Sequence, residues 1–461
     1  MSSHVIQHWN PEDPAFWKSE GQMIAQRNLW ISIPALTLAF AVWMVWSVVV
    51  VKLPQVGFKF STNQLFWLAA LPGLFGATLR IFYSFMVPIF GGRRWTAIST
   101  ASLLLPALGI YYAVQNPSTP YEIFVILALL SGFGGGNFAS SMANINFFFP
   151  KAQKGLALGL NAGLGNLGVS IVQFIVPLVI TAAVYGVLSG DPQTAVVGDK
   201  TTQLWLQNAG FVWVPFIIAS TLAAWFGMND LAEAKASFAD QAVIFKRSHT
   251  WLMSLLYTGT FGSFIGYSAG FPLLIKSQFP GIDPLDYAWL GPFVGALIRP
   301  VGGWLADKVG GARVTFWNFI LMALGVVAVL YFLPQGGVGG NFTGFLAAFM
   351  LLFATTGVGN GSTFRMIPVI FLTDRKRAAA GQGAAAQEQA VKDANKEAAA
   401  VIGFTSAVAA YGAFFIPKSY GTSISMTGGP QAALYGFIAF YVLCVLVTWW
   451  NYSRKNAPMP C

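Results

Sequence analysis

Two arginines stand in segments that are otherwise built for lipid. Arg80 lies eleven residues before the glycine pair Gly91-Gly92. At ~1.5 Å per helical residue this separation is ~16 Å, about half of a ~30 Å hydrocarbon core. Arg299 lies eleven residues before a second such pair, Gly310-Gly311. The sequence therefore predicts one arginine near the middle of a membrane in each half of the chain.

The segments around the two arginines repeat each other at a shift of 219 residues. The residues that match are Gly76, Ala77, Arg80, Gly91, Gly92, Arg94 and Thr96, against Gly295, Ala296, Arg299, Gly310, Gly311, Arg313 and Thr315. A second match, at a shift of 240 residues, pairs Gly163, Asn166 and Pro177 with Gly403, Ser406 and Pro417. This repeat predicts two halves of similar structure.

Neither arginine has an acidic partner at its own predicted depth. All sixteen Asp and Glu residues can be assigned to tails, loops or span ends. The three histidines are predicted to lie at or outside the cytoplasmic surface of the membrane. An arginine at the bilayer centre costs at least ~2.5–3.5 kcal/mol, so a bound anion is the simplest source of neutralisation. The guanidinium fork suits a planar oxyanion and keeps its proton. The alternative is a structural arginine that bonds helix carbonyls or reaches a water-filled crevice.

The amino-acid composition indicates that membrane-spanning helices position these arginines. Of 461 residues, 56% are hydrophobic and 9% are charged, whereas soluble proteins carry roughly a quarter charged residues. Pro, Gly and charge divide the apolar runs into twelve predicted spans. They lie at about 29–51, 63–90, 95–114, 121–149, 155–186, 209–229, 249–275, 286–306, 313–333, 341–372, 398–420 and 430–452. The predicted fold is an all-α membrane protein with twelve transmembrane helices in two pseudo-symmetric six-helix bundles.

Lysine and arginine are distributed unequally between the predicted loops. Eighteen lie on the side of the termini and five on the opposite side. This positive-inside asymmetry predicts that both termini of this multi-pass membrane protein are cytoplasmic. The expected location is the cell inner (plasma) membrane. The basic residues behind the formal net charge of +10 are therefore interpreted as setting the orientation of the helices in the membrane. Nucleic acid is not an expected partner. The two cysteines, Cys444 and Cys461, imply no disulfide framework.

These boundaries divide the chain into five predicted parts. They are a cytoplasmic tail at 1–28, a six-helix bundle at 29–229, a cytoplasmic linker at 230–248, a second bundle at 249–452 and a cytoplasmic tail at 453–461. In the first tail, Trp9, Trp17 and Trp30 suit a membrane interface. Residues 374–397 are of low complexity, and we expect a partly helical, mobile loop there.

The fourth predicted span has a polar face. Its residues at i, i+3, i+4 and i+7 are Asn137, Ser140, Ser141 and Asn144. In a protein surrounded by lipid such a face must look into a cavity or onto another helix.

Three strings give the chain a family resemblance. The string G-x-L-A-D-x-x-G-G-x-R, which runs from Gly303 to Arg313, resembles the cytoplasmic signature loop of the major facilitator superfamily. The strings GFGGGNFASSMANINFFFPKAQKGLALGLNAGLGNLG and TTGVGNGSTFRMI resemble the two Asn/Gly-rich signatures of the nitrate/nitrite porter family within that superfamily. The likeness covers nearly the whole chain, and it implies the major facilitator fold with nitrate and nitrite as cargo.

The resemblance also implies roles for individual residues. The implied substrate-binding residues are Arg80 and Arg299 as anion clamps, Phe138 and Phe261 as the two sides of a sandwich around the flat anion, Tyr257 as a hydrogen-bond donor, and Asn166, Gly163, Gly403 and Ser406 as the cavity wall. Asp307 and Arg313 are implied to be gating residues. Arg365 departs from the pattern, because some relatives carry an uncharged amide there; it either lines the cytoplasmic vestibule or reaches the site.

The expected activity is anion exchange by alternating access, with nitrate moving inward and nitrite outward. With the site empty, two fixed positive charges would repel each other as it closes, so closure requires an anion. A proton-coupled nitrate symporter is the alternative, although it usually needs an intramembrane acid or histidine. A passive anion channel is the second alternative.

An enzyme is not expected, because the sequence offers no intramembrane His/Asp/Cys cluster to act as nucleophile, base or metal ligand. No cofactor and no metal are expected. The expected partners are nitrate, nitrite and membrane lipid, and the expected state is a monomer.

Overall fold

The chain forms two compact units in the computed structural model, which describes residues 4–232 and 243–461. Among these residues, unit 1 comprises 4–232 and 268–289, and unit 2 comprises 243–267 and 290–461. Of the predicted linker 230–248, residues 233–242 lie outside the described residues.

Unit 1 is mainly helical. Its helices are α1 (Pro14–Phe16), α2 (Gln22–Met44), α3 (Trp46–Lys52), α4 (Thr62–Tyr83), α5 (Met86–Phe90), α6 (Gly92–Ala101), α7 (Leu104–Ala113), α8 (Tyr121–Phe148), α9 (Lys151–Val179), α10 (Asn208–Phe211) and α11 (Val214–Gly227). Its strands are β1 (Val5–Ile6), β2 (Gln193–Val197), β3 (Lys200–Leu204) and β4 (Asp230–Leu231). β1 pairs in parallel with β4, and β2 with β3 forms an antiparallel hairpin. Neither sheet is predicted from the sequence.

Unit 2 is built in the same way from long helices. They are α12 (Ser248–Tyr257), α13 (Ser263–Gln278), α14 (Leu290–Val309), α15 (Gly311–Phe332), α16 (Phe342–Ala378), α17 (Ala384–Ala410), α18 (Gly412–Thr427) and α19 (Gln431–Thr448). A π-helical turn, Thr258–Gly262, joins α12 to α13. From Ser268 onward the residues of α13 belong to unit 1.

Ten helical stretches of the described chain are long and apolar enough to cross a membrane. They are Pro14–Val56, Thr62–Tyr83, Gly92–Ala113, Tyr121–Phe148, Ala152–Val179, Asn208–Gly227, Gly311–Phe332, Phe342–Ala378, Ala384–Thr427 and Gln431–Ser453. The seventh and eighth predicted spans are also helical, as α12 to α13 and as α14. Arg299, Asp307 and Lys308 make α14 less apolar. The protein is thus a multi-pass membrane protein, and the count of twelve spans stays a prediction.

The glycine turns after the two arginine helices share one backbone conformation. Gly91 has φ 88° and ψ 152°, and Gly310 has φ 94° and ψ 131°. Positive φ values of this kind favour glycine because it has no Cβ. In each unit the next helix starts at the following residue, Gly92 for α6 and Gly311 for α15. The backbone at these turns therefore repeats as the sequence does.

The N-terminal segment packs into unit 1. Trp9 and Trp17 are buried in a cluster with Phe148, Phe149 and other apolar residues. β1 adds two backbone contacts, since the Asp230 N–H donates to the His4 carbonyl at 2.8 Å and the Ala232 N–H to the Ile6 carbonyl at 3.0 Å. Trp9 and Trp17 thus pack against protein, whereas Trp30 is exposed, and the interfacial position of these rings stays a prediction.

The low-complexity stretch 374–397 is more ordered in helices than its composition suggested. α16 continues to Ala378 and α17 begins at Ala384, so residues 379–383 connect the two. Glu397 is buried within α17 and forms ion pairs with Arg375 and Arg247. The predicted partial helicity is confirmed, and this end of the stretch is tied to unit 2 by charge.

Candidate functional site

Arg80 projects from α4 into the interior of unit 1, where it is 1% exposed. Its Nε donates a hydrogen bond of 2.7 Å to the carbonyl oxygen of Gly135. Three aromatic rings face its guanidinium carbon, at 4.7 Å for Phe138, 5.1 Å for Trp43 and 6.0 Å for Phe40. A desolvated cation over an aromatic face is stabilised by about 2 kcal/mol. These three rings form the aromatic cage of Arg80.

Glycines in α4 and α8 allow the cage to form. A Cβ at Gly76 would lie 3.0 Å from the Cα of Gly135 and 2.6 Å from Nε1 of Trp43. The distance to Nε1 is shorter than real Cβ contacts and the distance to the Gly135 Cα is tighter than most of them, so no larger residue fits at Gly76 without displacing its neighbours. The close approach of the two helices brings the Gly135 carbonyl within reach of Arg80.

Arg299 projects from α14 in unit 2 and is partly buried. Its Nη2 donates to the Tyr257 hydroxyl at 3.4 Å, and its guanidinium carbon lies 5.3 Å from the ring centre of Phe364. Nη1 of Arg299 is buried and has no hydrogen-bond partner among the described residues. No carboxylate of residues 4–232 and 243–461 forms an ion pair with it. A buried charged donor without a partner is costly, so this atom favours an incoming anion.

Tyr257 and Phe261 lie side by side beside Arg299. Tyr257 ends α12, and Phe261 lies in the π-helical turn Thr258–Gly262. Their rings are 5.5 Å apart with an interplanar angle of 12°, and both are buried. The structure thus brings Arg299, Tyr257 and Phe261 together in unit 2, and Arg80 with Phe138 in unit 1.

The four predicted wall residues lie on two helices, Gly163 and Asn166 on α9 and Gly403 and Ser406 on α17. A Cβ at Gly163 or at Gly403 would meet no described atom within 4 Å. Asn166 is buried, and its Oδ1 has no hydrogen-bond partner among the described residues. The Ser406 hydroxyl donates to the Gly403 carbonyl at 2.8 Å. The two matched glycines therefore border open space rather than packed neighbours.

The polar face of α8 lines a small cavity inside unit 1. Asn137, Ser140 and Ser141 meet Thr96 and Ser99 there, around a volume of about 10 Å³. This is room for about one water molecule. The prediction that this face looks into a cavity or onto another helix is confirmed.

The predicted gating residues have different surroundings. Asp307 pairs with Arg365, and both side chains are about half exposed. Arg313 is exposed on α15. The sequence left Arg365 either in the vestibule or at the site, and the structure places it on Asp307. The sequence does not predict this ion pair, because 58 residues separate the two positions.

The sequence also does not identify Trp43 and Phe40 as neighbours of Arg80. Both lie in the second half of α2, where residues 33–44 are apolar except for Thr37, so no periodic pattern distinguishes the face that meets Arg80. Among residues 4–232 and 243–461, no group of three or more His, Cys, Asp or Glu side chains is arranged to hold a metal ion.

Comparison with known proteins gives relatives along the full chain. The sequence pattern of the Major Facilitator Superfamily matches residues 31–417. The nitrate/nitrite transporter NarU of Escherichia coli (strain K12) is 53% identical over 458 residues, which are 99% of this chain and 97% of the relative. The probable nitrate/nitrite antiporter NarK2 of Thermus thermophilus is 44% identical over 461 residues, 99% of this chain and 98% of the relative.

A solved structure shares the fold. The crystal structure of a mutant of the nucleoside transporter NupG superposes with a TM-score of 0.61 at 11% identity, covering 92% of this chain and 98% of that one. At this identity the similarity shows the fold alone. With the family match and the relatives above, the chain belongs to the major facilitator superfamily and, within it, to the nitrate/nitrite porter family.

Proposed function

We propose that this protein is a secondary transporter that exchanges nitrate for nitrite, with nitrate moving inward and nitrite outward. The relatives at 53% and 44% identity are named as a nitrate/nitrite transporter and a probable nitrate/nitrite antiporter. The observation that carries the proposal is the state of Arg299, a partly buried cation with a buried N–H that lacks a protein partner among the described residues. A small anion is the ligand that such a group accepts best.

Arg80 and Arg299 bind the anion in this proposal. Each presents a planar guanidinium, whose parallel N–H donors match two oxygens of a planar oxyanion. Tyr257 lies beside Arg299 with its hydroxyl at 3.4 Å from Nη2 and donates to a third oxygen. Phe138 and Phe261 pack on the flat faces of the ion. Stacking on aromatic rings favours a planar anion over a tetrahedral one.

The wall of the proposed cavity uses the matched positions of the second repeat. Gly163 and Gly403 leave open space beside their helices, and this space admits the anion. Asn166 carries an amide oxygen without a described partner, and its amide can turn a donor toward the anion. Ser406 supplies a hydroxyl on the other helix.

Exchange follows from the fixed charge of the two arginines. A guanidinium group keeps its positive charge in proteins. An empty site that closes brings two positive charges together in a medium of low dielectric constant, which is unfavourable. The transporter therefore changes between its inward-facing and outward-facing states with an anion bound, and one anion leaves for each that enters.

Asp307 and Arg313 act as gating residues on the cytoplasmic side, and the Asp307–Arg365 ion pair supports this role. Since both partners are about half exposed, the pair is weak, on the order of 0–1 kcal/mol. A weak pair can open and reform in every cycle.

The proposal places this multi-pass protein in the cell inner membrane as a monomer, with both termini in the cytoplasm. The unequal distribution of Lys and Arg between loops supports this orientation. Lipid surrounds the helices, nucleic acid is not a partner, and the protein acts as a transporter rather than an enzyme.

Reconstitution into liposomes tests the proposal. Exchange predicts nitrate uptake when nitrite or nitrate is trapped inside, and no uptake into empty vesicles. Uptake into empty vesicles driven by a pH gradient would instead indicate a proton symporter, and steady currents in planar bilayers would indicate a channel.

Arg80→Lys and Arg299→Lys test the role of the arginines in the same vesicles. Each keeps its charge but loses the two-pronged donor, so we expect exchange at low nitrate to fall about 10- to 100-fold. Arg94→Lys is the matched control, since the Arg94 side chain is 56% exposed. Near-normal exchange by both buried-site variants would contradict direct anion binding.

A further inference from the structure

Trp43 makes two contacts that both concern the helix of Arg80. The residue is fully buried in α2, and its ring centre lies 5.1 Å from the guanidinium carbon of Arg80. Its indole N–H donates a hydrogen bond of 2.7 Å to the carbonyl oxygen of Pro72. Pro72 and Arg80 both belong to α4, so one side chain contacts α4 at the arginine and at a point about two turns earlier.

The backbone of α4 is shaped to receive this indole. Gly76 lies midway between Pro72 and Arg80, and a Cβ there would come within 2.6 Å of the Trp43 Nε1. The missing side chain at Gly76 therefore leaves the groove in which the indole lies. The hydrogen bond from the indole N–H to the Pro72 carbonyl, at 2.7 Å, then holds the ring in that groove.

We propose that Trp43 is a positioning residue for anion binding, which holds the Arg80 guanidinium in its binding orientation before the anion arrives. The inference rests on the proposed function, in which Arg80 binds nitrate. A free arginine side chain has many rotamers, and ordering it during binding weakens affinity. The indole packed on the guanidinium restricts that freedom in advance. Phe40 supports the ring edge-on, with centroids 5.6 Å apart and an interplanar angle of 62°.

The matching arginine of unit 2 is held differently. Arg299 is partly buried, packs on the ring of Phe364 at 5.3 Å and donates to Tyr257 over a long 3.4 Å. Arg80 is fully buried, contacts three rings and donates over 2.7 Å. The two arginines of the repeated segments thus have unequal surroundings. The arginine whose side chain is already held in place is Arg80, in unit 1. Trp43 accounts for part of that difference.

Trp46 provides a matched control three residues away. It is also fully buried, and its indole N–H donates to the Ser131 hydroxyl at 3.0 Å. Its ring packs edge-on against Phe124, with centroids 5.9 Å apart. Replacing Trp46 therefore removes the same volume and one similar hydrogen bond without touching the contact to Arg80.

The experiment compares Trp43→Leu and Trp46→Leu with the wild-type protein in nitrite-loaded liposomes, measuring KM and Vmax for nitrate per folded transporter. We expect Trp43→Leu to raise KM about 10- to 30-fold through loss of the cation–π contact. Trp46→Leu is expected to change KM by no more than about twofold, because a purely structural loss reduces the amount of folded protein instead. Trp43→Phe keeps an aromatic face without the N–H and should give an intermediate KM.

Equal KM values for Trp43→Leu and Trp46→Leu, in vesicles where the wild-type protein exchanges nitrate, would overturn the role of Trp43 and leave the proposed function intact. Absence of nitrate exchange by the wild-type protein would overturn both. Where Trp43→Leu does not fold, Trp43→Phe compared with Trp46→Phe decides, and equal KM values for this pair would refute the inference in the same way.

Discussion

Replacement of Asp230 with Asn tests how the end of unit 1 is held. The Asp230 carboxylate is buried, accepts the Arg93 backbone N–H at 2.8 Å through Oδ1 and lies 3.3 Å from the Arg93 Nε through Oδ2. Arg93 is itself buried against Trp225. The carboxylate also faces the N-terminus of α6, which begins at Gly92, where negative charge is favourable.

The expected loss of folding free energy follows from the interactions that remain in the Asp230→Asn variant. The amide of Asn can still accept the backbone N–H, so the helix keeps its capping hydrogen bond. The charge of Arg93 stays buried without its carboxylate, and breaking a buried ion pair from one side costs about 3 to 5 kcal/mol. At ~2–4 °C for each kcal/mol in a domain of this size, the apparent unfolding midpoint should fall by about 6 to 20 °C.

The assay is heating of the detergent-solubilised protein at a fixed scan rate, monitored by tryptophan fluorescence, since unfolding of such proteins is commonly irreversible. Glu388→Gln is the control, because it removes an exposed pair with Lys392 and should cost no more than about 0.5 kcal/mol. Adding Arg93→Met to the Asp230 variant removes the uncompensated charge and should restore part of the midpoint. If Asp230→Asn lowers the midpoint no further than Glu388→Gln does, the buried Asp230–Arg93 pair does not stabilise the fold as described.

Two further predictions use the same measurement. Asp283→Asn should lower the midpoint more than Lys52→Met does. The first variant leaves a Lys52 side chain that is only 9% exposed without its partner, whereas the second leaves an unpaired Asp283 side chain that is 45% exposed to water. The reverse order of the two midpoints would refute this prediction. Gly403→Ala should raise the midpoint, since a Cβ there meets no described atom within 4 Å and Ala is favoured over Gly in a helix by about 1 kcal/mol. Gly412→Ala should lower the midpoint, because the added Cβ would collide with the backbone of Gly262. Midpoint shifts of the same sign in Gly403→Ala and Gly412→Ala would contradict the packing described.

From the sequence alone we could predict that the chain is a membrane protein. The sequence also predicted Arg80 and Arg299, one within an apolar segment of each half, and the glycine turns that follow these segments. These features are local: apolar runs, the position of one charge within a run, and a backbone conformation that only glycine adopts easily, as at Gly91 and Gly310. The resemblance in motifs determined the family. The polar face on α8 was also readable, because Asn and Ser stand out at helical spacing within an apolar helix.

The partners of these residues came from the packing of helices that are far apart in the chain. Trp43 and Gly135 around Arg80, Asp230 on Arg93, and Arg365 on Asp307 have no sequence signal that assigns one to another. The physical reason is that most of the circumference of a helix within lipid is apolar, so where no polar residues stand out, hydrophobic periodicity does not show which face meets protein. Which aromatic ring lies on which arginine depends on where glycines let two helices approach, and this is settled only when the helices pack.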